Sequence, residues 1–261
     1  MNQAKEKLRQ DRSLLVCSDG IAHPAVIDIL GYAGFDCVEL DREHGLIGLE
    51  TMEWLLLACR AAGITPFWRM GKFDEAEMKH ALDVGFTSFI VPHIRNAAEV
   101  ECVLRATKYA PRGQRGVGPG RPIRYGLDDP LTYYKSADED ILVGFMIEDP
   151  EAVADIEKIV AVDGVELVQI GFWDLSVAYG LPFQLRHPRL VEAAEKVLRA
   201  AKSRGVAVGI PPESPEDMRH WQGKGARYFE VASAGGLLCA AARSCIHNYS
   251  PSPASAVVET R

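Results

Sequence analysis

"LVGFMIEDPEAVADIEKIVAVDGVELVQIG", residues 142–171, decides the fold. It opens with an apolar run over 142–148 and closes with another over 167–171. Between them, apolar residues recur at helical spacing over 150–161, with Asp149 placed as N-cap and Pro150 in the first turn. Strand, helix and strand in that order form one turn of a parallel β/α architecture. The same alternation runs through the rest of the chain. Strands are predicted at 14–17, 37–40, 65–69, 88–92, 142–148, 167–171, 206–210 and 228–232. Helices are predicted at 23–33, 49–62, 74–83, 96–108, 150–161, 188–203, 215–223 and 236–247, the seventh opened by Ser214 and Pro215. Eight such units in 261 residues predict a closed (β/α)8 barrel, an α/β TIM barrel, as a single domain over 1–261. An open doubly wound sheet would show a glycine fingerprint after the first strand, and "CSDGIAHPA", 17–25, is not one. Three segments fall outside the alternation: a polar N-terminal segment, 1–12, a long irregular connection, 109–140, and a tail, 248–261, expected to be flexible or to reach a neighbouring subunit.

The bulk composition narrows the class of function. Hydrophobic residues make up 48% of the chain, charged residues 25%, and the net charge is −7. That balance disfavours a general attraction to nucleic acid or to anionic membrane, so an anionic ligand must be met by a local basic pocket. No apolar run approaches the length of about 18 residues needed to span a bilayer, and "MNQAKEKLRQDRS" carries no signal-peptide core. Cys17, Cys37, Cys59, Cys102, Cys239 and Cys245 lack metal or redox spacing and read as reduced, mostly buried thiols of a cytoplasmic protein.

In a parallel barrel all strands end at one face, and the loops there build the site. Charge collects at those ends: Asp41, Glu43 and His44 after strand two, Arg69 at strand three, and His93 after strand four. Glu148 follows at strand five, Asp174 after strand six and Glu213 after strand seven. Strand parity turns Gly144, Met146 and Glu148 into the barrel and sends Val143, Phe145 and Ile147 toward the helices. By the same count Glu39 and Asp41 share the inner face of strand two, and Arg69 points inward, where a guanidinium demands a counter-charge from Glu39, Asp41 or a bound carboxylate.

Glu148 and Asp174 on neighbouring strands make an oxygen-rich pair suited to Mg²⁺, Mn²⁺ or a similar divalent ion. The competing reading is that each caps a helix or turn. His44 beside Asp41 or Glu43 is either a general base or a loop histidine with a structural role. Arg69 grips a substrate carboxylate or closes a salt bridge, and Trp173 walls the pocket or fills space. Arg112, Arg115, Arg121 and Arg124 either meet an anionic substrate or are solvated. No predicted strand contains a lysine, which disfavours Schiff-base chemistry.

These residues carry a resemblance. "GYAGFDCVELDREHG" (31–45), "VPHIRNAAEVE" (91–101), "YAPRGQRGVG" (109–118) and "FMIEDPEAVADIEKIVAVDGVELVQIGFWDLSVAYG" (145–180) resemble the motifs of the HpcH/HpaI family, the metal-dependent class II pyruvate aldolases. The likeness runs from about residue 14 to about 245. It implies a phosphoenolpyruvate/pyruvate-type barrel with a swapped C-terminal helix, assembled as a homohexamer. It implies a divalent metal, Mg²⁺ or Mn²⁺ with Co²⁺ as an alternative, held by Glu148 and Asp174. Arg69 would bind substrate, and His44, polarised by Asp41, would act as acid and base. Gly171, Phe172, Trp173 and Asp174 would line the 2-oxo acid site. The implied reaction is reversible cleavage of a 4-hydroxy-2-oxo acid to pyruvate, or a related 2-oxo acid, and an aldehyde, through an enolate stabilised by the cation. Small molecules are the implied partners, without nucleic acid or membrane. Two alternatives stand beside it: a condensing enzyme or lyase acting on a di- or tricarboxylate, and a non-catalytic metal-binding barrel. The departures fall in the pocket: Met146 where many members have Gln, Phe172 and Trp173 before "DLS", and Glu39 at a normally apolar position.

Overall fold

Side chains along a strand face alternate sides, and this sorts the sheet into two cores. The computed structural model describes residues 2–250. In it β1 (Leu14–Asp19), β2 (Cys37–Asp41), β3 (Thr65–Arg69), β4 (Ser88–Val91), β5 (Leu142–Ile147), β6 (Leu167–Ile170), β7 (Ala207–Gly209) and β8 (Tyr228–Ser233) close in sequence order into a parallel barrel. Leu14, Val16, Cys37, Phe67, Ile90, Leu142, Met146, Leu167 and Tyr228 fill the lower interior as one buried cluster. Gly144 belongs to this layer: a Cβ there would stand 2.6 Å from Ile90 Cδ1, so its absence makes room for the neighbouring strands' side chains. The alternate residues, among them Val38, Leu40, Val143, Phe145 and Ile147, join the larger cluster between sheet and helices. The helix Pro188–Lys202 follows the expected stripe, burying Leu190, Ala193, Ala194, Val197, Leu198 and Ala201. The predicted strands agree with the observed ones to within two residues at each end.

Besides an N-terminal helix, Gln3–Arg9, the helices differ in four places. The predicted helix 150–161 is broken into Pro150–Ala154 and Ile156–Ile159, and Asp149 makes no side-chain cap. Residues Phe172–Ala178, read as a loop, form a helix. The connection 109–140 contains a 3₁₀ segment, Arg121–Gly126, a helix, Pro130–Ser136, and a second 3₁₀ turn, Ala137–Glu139. The last helix, Ala234–Tyr249, takes in residues 248 and 249 of the expected tail, while 251–261 lie outside the described residues. That helix buries only Ala234 and leaves Leu237, Leu238, Ile246 and Tyr249 exposed. It also carries the two exposed cysteines, Cys239 and Cys245, against the expectation of mostly buried thiols; Cys17, Cys37 and Cys59 are buried as expected.

The polar N-terminal segment closes the bottom of the barrel. Residues Gln3–Arg9 form a helix whose Ala4 joins the interior cluster. Asn2, 5% exposed, donates from Nδ2 to Ser88 Oγ at 2.8 Å, Asp140 O at 3.0 Å and Thr87 O at 3.2 Å. Lys5 donates to Ile141 O at 2.8 Å and pairs with Glu166 at 2.9 Å. Asn2→Ala removes these bonds and should cost about 1–3 kcal/mol of unfolding free energy by chemical denaturation. An unchanged midpoint would show that the plug adds nothing to stability.

Candidate functional site

Above the apolar floor the interior turns polar, at the end where all eight strands finish. A cavity of about 160 Å³ there is lined by His44, Arg69, Met146, Glu148, Gln169, Gly171, Trp173, Asp174 and Glu230, with Ile170, Phe172 and Pro211. It gathers seven of the eight residues singled out in the sequence as catalytic, binding or metal-holding. Asp41 is the eighth, and it acts from behind the wall. No lysine lines the cavity.

Glu148 directly follows β5, with 1% of its surface exposed. Its Oε1 accepts the His93 backbone N–H at 2.8 Å, and its buried Oε2 has no hydrogen-bond partner. Burial pushes this carboxyl up to about 7, against the pull of the His93 amide and ring. His93 is held at φ +54°, a left-handed conformation costly for a side chain with a Cβ, and that conformation aims its amide. Its ring lies 3.3 Å from Asp149, 3.4 Å from Glu43 and 3.6 Å from Glu148. Burial opposes its protonation, but these carboxylates outweigh burial and raise it. Asp149 thus spends its carboxylate on His93 in place of the helix cap read from the sequence. Gly171 packs directly on Glu148: a Cβ there would collide with Oε2 and stand 2.7 Å from the Glu148 Cβ. Asp174 sits in the first turn of the helix Phe172–Ala178, exposed, on the same cavity wall. Phe172 buries its ring against Trp221, whereas Trp173 is 58% exposed and edge-on to Phe183.

Arg69 is 8% exposed and ringed by acid. It hydrogen-bonds Glu43 and lies 3.6 Å from Asp41 and 3.8 Å from Glu39. Burial disfavours its charge, and the carboxylates more than restore it. Glu39 is wholly buried, takes a 2.8 Å hydrogen bond from Tyr228 Oη, and is raised by burial. Asp41 Oδ1 accepts the backbone amides of Glu43 at 3.0 Å and His44 at 3.1 Å, so it shapes the loop. The carboxylate beside the His44 ring is Glu43, at 3.8 Å, and that ring is open to solvent.

Several candidates lie elsewhere. Arg112 pairs with Asp138, Arg121 with Glu53 and Arg124 with Asp128. Arg115 is buried over the Tyr109 ring at 4.6 Å. Glu213 pairs with Arg186 at 2.7 Å. Conversely, nothing in the sequence marked Gln169 and Glu230, which line the cavity from β6 and β8; only strand parity would have turned them inward.

Oxygen donors from Glu148 and Asp174, one of them buried and unpartnered, fit a hard divalent cation that keeps open positions for other ligands. Among the described residues no three His, Cys, Asp or Glu side chains converge as a closed metal cage. Acid, arginine and imidazole at the strand-end mouth of a parallel barrel place the chain among barrel enzymes whose site is built on that face. The HpcH/HpaI aldolase/citrate lyase family model matches residues 18–241, and the chain belongs to that family of metal-dependent carbon–carbon lyases. A 5-keto-4-deoxy-D-glucarate aldolase of Enterobacter sp. (strain 638) is 28% identical over 248 residues, 95% of this chain and 96% of the relative. The HpcH/HpaI aldolase of Desulfitobacterium hafniense DCB-2 superposes with a TM-score of 0.88 at 28% identity, covering 97% of this chain and 98% of that one. The citrate synthase SbnG gives 0.86 at 28% identity, over 94% and 96%. None of the helices among the described residues is long and apolar enough to cross a membrane.

Two measurements follow from this geometry. Gly171→Ala presses on Glu148 and should weaken divalent-metal binding by at least about tenfold in calorimetry, the size of effect seen when a ligand's support is disturbed; unchanged affinity would separate Glu148 from the metal. Glu230 is pushed up to about 8, by burial first and by Glu39 second. The folded protein therefore holds a proton that the unfolded chain releases near the usual carboxylate range, and stability falls as pH rises from about 4.5 to about 8. Glu230→Gln should recover of the order of 1–3 kcal/mol at pH 8.5 and little at pH 4, allowing for partial contact with solvent. An equal gain at both pH values would contradict it.

Proposed function

We propose that this enzyme is a class II aldolase that reversibly cleaves a 4-hydroxy-2-oxo acid into pyruvate, or a close relative, and an aldehyde. The observation that carries the reading is Glu148: a buried carboxylate oxygen without a partner, in one cavity with Asp174 and a buried arginine. Glu148 and Asp174 would hold the divalent ion, Mg²⁺ or Mn²⁺ with Co²⁺ as an alternative. When bound, the ion supplies Lewis-acid stabilisation for negative charge developing on the 2-keto oxygen.

Arg69 binds the substrate's carboxylate or keto oxygen, its guanidinium already fixed by Glu43, Asp41 and Glu39. The residues from Gly171 to Asp174 line the same cavity, and their first-turn amides would add donors; the Gly171 amide itself is taken by Ile147 O at 3.3 Å. His44 takes the proton from the C4 hydroxyl as the C3–C4 bond breaks, and the bonding pair passes to the 2-oxo acid half as its enolate. Protonation at C3 then gives the free 2-oxo acid. Glu43 sits beside the His44 ring and Asp41 fixes its backbone, so His44 answers to two carboxylates with different tasks.

A condensing reaction on a di- or tricarboxylate draws on the likeness to SbnG. The acids around Arg69 and the internal pairing of the loop arginines weigh against it, because Arg69 is the one Arg or Lys among the residues lining the cavity and three acids already share it. The exposed apolar face of the helix Ala234–Tyr249 supports a homo-oligomer in which it packs on a second copy, up to the family's hexamer, in a cytoplasmic protein.

Pyruvate release from 4-hydroxy-2-oxo acids tests the reaction. Excess chelator should abolish it, and full activity in chelator would rule the mechanism out. His44→Ala should slow cleavage roughly 10²–10⁴-fold at unaltered metal affinity; an unaltered rate would remove His44 from the proton transfer.

A further inference from the structure

The floor of the mouth cavity is polar where the strands around it are apolar. Gln169 on β6 is 1% exposed and lines the cavity. Its Nε2 donates to Glu230 Oε2 at 3.3 Å, and its Oε1 is buried without a hydrogen-bond partner. The neighbours make space for it. In register it lies beside Met146 of β5 and Gly209 of β7. A Cβ on Gly209 would stand 3.1 Å from the Gln169 Cγ and 3.0 Å from the Tyr228 ring, so this strand yields room to both side chains. Glu230 lines the same cavity from β8, and burial pushes its carboxyl up to about 8. A buried amide oxygen without a donor costs about 1–3 kcal/mol. A protein that keeps one on a residue lining a ligand cavity has an acceptor there for something that arrives with a hydrogen to donate.

We propose that Gln169 and Glu230 are specificity-determining residues that receive a hydroxyl group on the 2-oxo acid half of the substrate. This rests on the aldolase reading and adds the identity of the donor. Glu148, Asp174, Arg69, Gln169 and Glu230 line one cavity of about 160 Å³, so a short 2-oxo acid held by the first three would bring its third carbon toward the other two. A hydroxyl there donates to Gln169 Oε1 and exchanges a hydrogen bond with the Glu230 carboxyl. A methyl group leaves the amide oxygen unpaired. A second carboxylate meets Glu230 with Glu39 behind it, and Arg69 is already shared among three acids.

The test is calorimetric titration of the Mn²⁺-loaded protein with two acids of equal size, 3-hydroxypyruvate and 2-oxobutanoate, which differ only in hydroxyl against methyl at C3. The hydroxy acid should bind roughly five- to tenfold more tightly, the worth of one to two neutral hydrogen bonds. Gln169→Met and Glu230→Met should each shrink that ratio toward one, and Glu230→Gln should keep most of it. Equal affinities in the unmodified protein, or a preference that survives both methionine variants, overturns the proposal. If the variants do not fold, the unmodified protein's ratio alone decides. Metal-dependent deuterium exchange at C3 of both acids, followed by NMR, reports separately on the enolate chemistry. Its absence beside an intact binding preference would sink the aldolase reading and leave the floor assignment standing, and exchange without preference would do the reverse.

Discussion

The structure turns on one carboxylate oxygen. Glu148 Oε2 is buried at the end of β5 with nothing to accept from. Leaving a charged group so placed is expensive, and burial accordingly holds Glu148 toward its protonated form. Around it the chain tolerates further cost: His93 in a left-handed conformation, and a glycine at 171 where any side chain would strike the carboxylate. A cluster of departures from low-energy structure at a strand end, beside a cavity, marks a place shaped for a ligand.

Charge balance across the mouth depends on the same geometry. Arg69 draws Glu39, Asp41 and Glu43 toward one guanidinium, and Tyr228 and Glu230 extend the network into the barrel. Such a network fixes the arginine's direction, since Glu39 and Asp41 restrain it from β2 and Glu43 from the loop that follows. It also makes the mouth selective by sign. One further carboxylate can compete for Arg69, whereas a second would be set among acids. The internal pairing of Arg112, Arg121 and Arg124 leaves the 109–140 connection to brace itself and the neighbouring helices.

Much of this was legible because a parallel barrel obeys two simple rules: side chains alternate, and strands end together. Those rules placed Met146 and Glu148 inward and brought His44, Arg69, Glu148 and Asp174 to one mouth from residues far apart in sequence. They misjudged detail where capping or tertiary contact decides. Asp149 has the sequence of a helix cap but turns to His93, because that imidazole lies 3.3 Å away. Asp41 and Glu43 both lie within three residues before His44, and only the turn decides that Asp41 takes the backbone and Glu43 faces the ring. The N-terminal helix reads in the sequence only as a polar segment, because its partners, Ser88, Asp140 and Ile141, are more than eighty residues away. Gln169 and Glu230 passed unnoticed because their significance lies in neighbouring strands: Gly209 in β7 gives the glutamine its space beside Tyr228 of β8.

The most direct test of the account is a crystal structure of the protein soaked with Mn²⁺ and pyruvate, with the metal located by anomalous scattering. The account predicts one ion bonded to carboxylate oxygens of both Glu148 and Asp174 and to pyruvate, with Arg69 on the bound acid. An ion bound elsewhere, or the two carboxylates facing away from each other with pyruvate held apart from them, would contradict it.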